Sequence, residues 1–275
     1  EYRHLTVAKA VLNGINNHLA KMQKTGKPGS APDLSVPRSG NVFRQLKLDR
    51  PMSRDAYEKE LGGLQTKLSR LTRKLGSGNR SLMLVFEGND AAGKGGSIRR
   101  LVQAVDTRLF RVIPVAAPSD EEKSHPYLWR FWRHLPLSGR VTVFDRSWYG
   151  RVLVERVEGF CAKEDWRRAY DEIREFEEQL SGHGIILIKF WLAISKEEQL
   201  RRFRQREKIS WKNYKITDED WRNRKKCDAY EAAACDMFAR TDAPQAPWVM
   251  IESNNKLYGR VKVLRTAVER LKKEI

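Results

Sequence analysis

Ser81-Leu-Met-Leu-Val-Phe-Glu-Gly88-Asn-Asp90-Ala-Ala-Gly93-Lys94-Gly-Gly-Ser97 is the stretch that decides the fold. An apolar run, Leu82 to Phe86, predicts a buried strand. It feeds a glycine-rich turn that opens an amphipathic segment. Gly88, four residues, Gly93 and Lys94 have the spacing of a Walker A loop. Glycine permits backbone geometry that a side chain obstructs. The loop's N–H groups can then point inward and cradle phosphate at a helix N-terminus. The expected cradle is Gly88, Asn89, Ala91, Ala92, Gly93, Lys94, Gly95, Gly96 and Ser97, with Lys94 adding a mobile point charge. The hydroxyl residue that usually follows the lysine and holds magnesium is replaced by Gly95, while a carboxylate, Asp90, lies inside the loop. Asp90 is therefore read as a substitute metal ligand.

Outward from this loop, short apolar runs alternate with helical patterns. Candidate strands are 82–87, 111–115, 141–145, 185–192 and 248–251. Candidate helices are 94–106, 121–135, 164–181, 195–208, 218–238 and 257–273. Such alternation argues a parallel sheet covered on both faces, with ligands at the carboxyl ends of the strands. Before the core, Asp55 to Leu75 predicts one more helix, ended by Gly76-Ser-Gly78. Residues 2–22 carry apolar positions at helical spacing, and the Gly-, Pro- and Ser-rich run Gly26 to Gly40 reads as a linker. The expectation is an α/β, P-loop kinase-like three-layer fold. It has a central parallel five-stranded sheet, a helical lid at about 196–226 and an N-terminal helical extension. The extension and linker take 1–41, and the catalytic domain takes 42–275.

The third strand, Val141-Thr-Val-Phe144, ends in Asp145-Arg146-Ser147-Trp148-Tyr149. An apolar strand ending in Asp is the Walker B pattern, whose carboxylate faces the loop and binds Mg²⁺. Asp90 and Asp145 together supply the hard oxygen ligands magnesium prefers. Arg146 can clamp the same phosphates with its planar fork. Residues 196–226 hold twelve Lys or Arg against six Asp or Glu. Arg202 and Arg206, four apart, share a helix face, where a lid arginine meets the charge of a transferred phosphoryl group. The eight tryptophans read as core or hinge packing, with Trp148 and its neighbour Tyr149 set apart because they follow the expected metal ligand.

Composition agrees with an anionic substrate. The 275-residue chain has net charge +18, a demand that nucleic acid, an anionic membrane or inorganic polyphosphate would each meet. No nucleic-acid module is recognisable and no apolar run reaches membrane-spanning length. No signal peptide is visible, and the three cysteines lack metal-ligand spacing and suit a reducing cytoplasm.

Glu87-Gly-Asn-Asp-Ala-Ala-Gly-Lys-Gly-Gly96, Phe144-Asp-Arg-Ser-Trp-Tyr-Gly-Arg151 and Val154-Glu-Arg-Val157 resemble the family-2 polyphosphate kinases. So do Ala246-Pro-Trp-Val-Met-Ile251, Asn255-Lys256, Arg260 and the helix before the core, so that the resemblance covers roughly 42–273. It implies Mg-dependent transfer of a terminal phosphoryl group between polyphosphate and a nucleotide. It also implies metal ligation by Asp90 and Asp145, phosphate binding by Lys94 and Arg146, and lid contacts by Arg202 and Arg206. Trp221-Arg-Asn-Arg224 is similar to the subgroup that phosphorylates AMP, often built as two fused units, and 1–22 resembles the joint between such units. The chain is thus read as the second half of a tandem protein. Gly150 stands where many members have Asn, which leaves the nucleotide contacts open. A cytoplasmic homo-oligomer is expected, with no nucleic-acid or membrane partner. ADP as acceptor, or the reverse reaction, is the alternative; an ATP-dependent metabolite kinase and a nucleic-acid-binding ATPase rank lower.

Overall fold

The computed structural model describes residues 6, 9, 11–17, 20 and 41–275. The chain divides into two units, 1–38 and 39–275. In the first, residues 11–17 are helical and Val11, Leu12 and Ile15 are exposed. The expected linker, Gly26 to Gly40, lies outside the described residues.

The second unit is built on one parallel sheet. Its strands are β1 (Ser81–Gly88), β2 (Phe110–Pro114), β3 (Val141–Asp145), β4 (Ile185–Ala193) and β5 (Trp248–Glu252), in the order β2-β3-β1-β4-β5. The Walker A strand is therefore central, flanked by the Walker B strand and β4. β1 and β4 are buried on both faces, which is why they read as continuous apolar runs rather than alternating ones.

The principal helices are α1 (Arg54–Lys74), α2 (Lys94–Val102), α3 (Lys163–Gly182), α4 (Lys196–Glu207), α5 (Asp218–Lys225), α6 (Cys227–Thr241) and α7 (Lys256–Glu274). Alternate strand residues point to opposite faces. Leu82, Leu84 and Phe86 join Leu68 of α1, Leu101 of α2 and Leu264 of α7 in one core. Met83 and Val85 join Ile173 and Phe176 of α3 and Met237 of α6 in the other. The three-layer expectation is met, with both topological neighbours of β1 delivering their carboxyl ends to the same edge.

Three helix expectations need correction. The pattern at 121–135 folds as two short turns, Asp120–Lys123 and Trp129–Trp132. Pro126 lacks the donor a helix interior needs and disfavours helical geometry in the residue before it. The helix from Lys94 stops at Val102 rather than 106. The pattern at 218–238 splits into α5 and α6 at Lys226, whose ammonium, with Arg222, reaches Glu158.

Candidate active site

β1 ends at Gly88, in register with Leu192 of β4. A Cβ at Gly88 would lie 2.2 Å from the Leu192 carbonyl oxygen, and φ is +132°, so only glycine fits. Asn89 then staples the loop to β4: its N–H donates to Leu192 O at 3.1 Å, and its side-chain oxygen accepts from Ile194 N at 3.2 Å. Gly93, at φ +108°, turns the chain into α2. Lys94 folds back so that Nζ donates to the carbonyls of Gly88 at 2.7 Å and Asn89 at 3.3 Å.

β3 brings its end alongside. Asp145 pairs in register with Phe86, and Arg146, at φ +66°, donates its N–H to Phe86 O at 3.0 Å. The Arg146 guanidinium lies 3.3 Å from Asp90 Oδ1. Burial opposes its charge, but the carboxylates of Asp90, Glu87, Glu219 and Asp145 together hold its pKa above the ordinary value. Burial pushes the Glu87 carboxyl up, against the pull of Lys94, of the Ser147 hydroxyl that donates to it at 2.8 Å, and of Arg146. A Cβ at Gly95 would sit 4.0 Å from Asp145 Oδ2. The position that carries a hydroxyl ligand in the usual motif thus faces the Walker B carboxylate.

The lid arginines separate. Arg206 lines the polar cavity formed by Asp90 to Gly96, Asp145, Arg146 and the first turn of α5. Arg202, expected at the transferred phosphoryl group, lies instead beneath the loop and is 1% exposed. Its five N–H groups are all engaged: Nε donates to Glu198, Nη1 to the carbonyls of Ala91 and Ala92, and Nη2 to those of Ser253 and Asn254. Burial draws its pKa down, opposed by Glu198. One helical turn, about 5.4 Å, separates this strut from the cleft residue above it.

Some residues of the site had no role assigned from sequence. Asn223 of α5 donates to Asp90 Oδ2 at 3.0 Å, and Gln199 donates to Asp90 O at 3.2 Å. Arg224 donates to Lys196 O and Gln199 Oε1. Asn223 and Arg224 fall within the quoted Trp221–Arg224 run, so the signal existed without a contact to attach it to. A second cavity, of about 340 Å³, opens beside the loop. Phe43, Leu48, Leu153, Trp191 and Tyr230 form its apolar wall, and Glu87 and Asn89 also line it. Phe43 and Leu48 precede α1 and carry no pattern that could have marked them.

Residues 51–275 match the family model for polyphosphate kinase 2. The chain belongs to the polyphosphate kinase 2 family. A relative, the polyphosphate:AMP phosphotransferase of Pseudomonas aeruginosa, is 52% identical over 266 residues, covering 96% of this chain and 54% of that one. The chain spans about half the length of the curated relatives it matches at this level. Among solved structures of the polyphosphate kinase 2 family, a putative polyphosphate kinase 2 from Pseudomonas aeruginosa superposes with a TM-score of 0.83 at 53% identity. It covers 85% of this chain and 50% of that one. Polyphosphate kinase 2 from Arthrobacter aurescens gives 0.81 at 32% identity, covering 86% of each chain.

Proposed function

We propose that this domain transfers the terminal phosphoryl group of inorganic polyphosphate to a nucleoside monophosphate, chiefly AMP, giving the diphosphate and a chain one phosphate shorter. One observation carries the reading. The polar cavity over the loop and the apolar-walled cavity beside it share three lining residues, Asp90, Lys94 and Arg146. An anionic chain in the first and a nucleoside in the second would meet at two cations and a carboxylate. The net charge of +18 suits the first ligand, and the aromatic wall suits a base. The name of the Pseudomonas aeruginosa relative agrees with this donor and acceptor.

Catalysis in this reading is alignment plus charge neutralisation, with no covalent enzyme intermediate. The N–H groups of the loop hold the phosphates, and Lys94 leaves the Gly88 carbonyl to reach them. Arg146 and Arg206 both line the polar cavity and present forked donors to it. Magnesium fits the donor set: two carboxylates, Asp90 and Asp145, line one cavity with the phosphate cradle, and Mg²⁺ is commonly held by one or two carboxylates plus phosphate oxygens. When bound there, it would neutralise charge on the transferring group. Among the described residues no helix is long and apolar enough to cross a membrane. The three cysteines are free, which suits a reducing compartment and the expected cytoplasmic location.

Arg206→Lys keeps the charge and loses the fork. We expect it to lower kcat by about tenfold or more with KM little changed, the pattern of an interaction made chiefly in the transition state. Steady-state rates with polyphosphate as donor check this; wild-type kcat would make Arg206 a solvated lid residue.

α5 sets the acceptor. Asn223 ties it to Asp90, and Arg224 lines the nucleotide cavity from the same helix. In this reading the site holds the monophosphate where its oxygen lines up with the polyphosphate end, leaving no room for a further phosphate. AMP should therefore exceed ADP in kcat/KM by at least about tenfold, or ~1.4 kcal/mol. Rates with AMP, ADP and GMP at excess polyphosphate test the reading. Equal or better efficiency with ADP overturns the acceptor, and activity with ATP but none with polyphosphate overturns the donor as well.

A further inference from the structure

The turn that carries Arg146 is strained and is bolted at successive side chains. Arg146 is not glycine, yet its φ is +66°. Such backbone costs on the order of 1–3 kcal/mol and persists where the surroundings over-determine it. The next three residues supply that. Ser147 Oγ donates to Glu87, Trp148 Nε1 donates to Glu177 Oε1 at 3.0 Å, and Tyr149 Oη donates to the same oxygen at 2.6 Å. Behind them, Lys189 of β4 donates to Glu177 Oε2 at 2.7 Å, Tyr149 Oη at 3.1 Å and Thr241 O at 2.7 Å. Trp148, Tyr149 and Lys189 are 0% exposed, and Glu177 is 3% exposed.

This ion pair stands in an otherwise apolar core between α3, β4 and α6. Burial drives the Glu177 carboxyl up and the Lys189 ammonium down, each opposed by its partner. Apolar residues of similar volume are often equally or more stable at such a place, so stability alone does not account for the pair. All three ammonium donors and both carboxylate oxygens are satisfied, the condition under which a buried polar network rigidifies its surroundings.

We infer that Glu177, Lys189 and Tyr149 are positioning residues: a buried anchor that holds the Arg146 turn in its strained conformation and so aims the guanidinium across the cleft at Asp90 and the phosphates. The inference rests on Arg146 acting as a phosphate clamp. The anchor touches neither substrate, and it acts only through the turn.

A double-mutant cycle isolates that route. Glu177→Gln and Tyr149→Phe are each measured in the wild-type and Arg146→Lys backgrounds, with thermal melts alongside. Glu177→Gln should lower kcat by about tenfold and Tyr149→Phe by about threefold, with the KM for AMP unchanged; in the Arg146→Lys background each factor should shrink to less than about 1.5. Full kcat in a folded Glu177→Gln protein, or the same factors in both backgrounds, overturns the anchor. If Glu177→Gln does not fold, Tyr149→Phe decides by the same criterion. Wild-type kcat for Arg146→Lys alone overturns the clamp reading and the anchor with it, whereas a low Arg146→Lys with an additive cycle overturns the anchor only. A paired Glu177→Met/Lys189→Met protein adds a last comparison. It strands the Trp148 and Tyr149 donors, so it should melt below wild type and lose turnover, and undiminished kcat in the folded protein would also overturn the inference.

Discussion

Asp90→Asn is expected to cut polyphosphate-dependent turnover by at least about a hundredfold, and Asp145→Asn by as much, the range that electrostatic stabilisers supply. Asparagine keeps the shape of each side chain and removes its charge. At Asp90 the change weakens attraction to Arg146, 3.3 Å away, and removes one of the two hard ligands proposed for magnesium. At Asp145 it leaves the cavity facing Gly95 with no anionic oxygen from β3. Neither carboxylate sits inside the two apolar cores, so the melting temperature should move little. Conversion of AMP at saturating Mg²⁺ and polyphosphate is the measurement. Near-normal turnover of Asp90→Asn would return Asp90 to a structural role in the loop.

Arg202→Met is expected to act on stability first. The substitution fills similar volume but removes five donors from a site that is 1% exposed. Four backbone carbonyls, two in the loop and two after β5, lose their partner together. Breaking one side of a buried charged network costs about 3–5 kcal/mol, a large part of the ~5–15 kcal/mol that holds a domain folded. The melting temperature should fall by roughly 6–20 °C for a chain of this size. Arg202→Lys should not rescue it, since three donors on a point charge cannot reach five acceptors in a plane. An Arg202→Lys protein with wild-type melting and much reduced kcat would instead place Arg202 at the phosphates, where its neighbour's spacing first suggested it.

That contrast marks how far the sequence could be read. The strands were legible because burial on both faces writes an unbroken apolar run, as in Leu82 to Phe86 and Ile185 to Leu192. Asp90, Lys94, Asp145 and Arg146 were legible because loop and strand-end motifs fix residue type at a fixed spacing. The i, i+4 pairing of Arg202 and Arg206 put both on one face of α4; Arg202 bonds the loop carbonyls and Arg206 lines the cavity over the loop. Spacing cannot tell a strut from a clamp, because both are arginines on one stripe, and only depth distinguishes them. The 121–135 pattern misled for a related reason: its apolar spacing is helical, yet one proline outweighs it. Phe43, Leu48 and Tyr230 gather around the apolar-walled cavity from distant parts of the chain, and such convergence leaves no trace in a linear pattern. The break at Lys226 carries neither glycine nor proline and coincides with tertiary ion pairs to Glu158, which no local pattern records.

The folded-back posture of Lys94 carries a consequence for ligand choice. Its ammonium is already solvated by the protein, through the carbonyls of Gly88 and Asn89. A chloride or a single phosphate arriving at the loop must therefore compete with two internal acceptors, and the exchange returns little net free energy. On the proposed reading a chain that brings many anionic oxygens at once would engage the loop amides, Arg146 and Arg206 in the same event, with the later contacts formed at high effective concentration. On the proposed reading the lysine would work as a threshold, quiet toward small anions and responsive to multivalent ones, and the same internal acceptors would take it back once the ligand leaves.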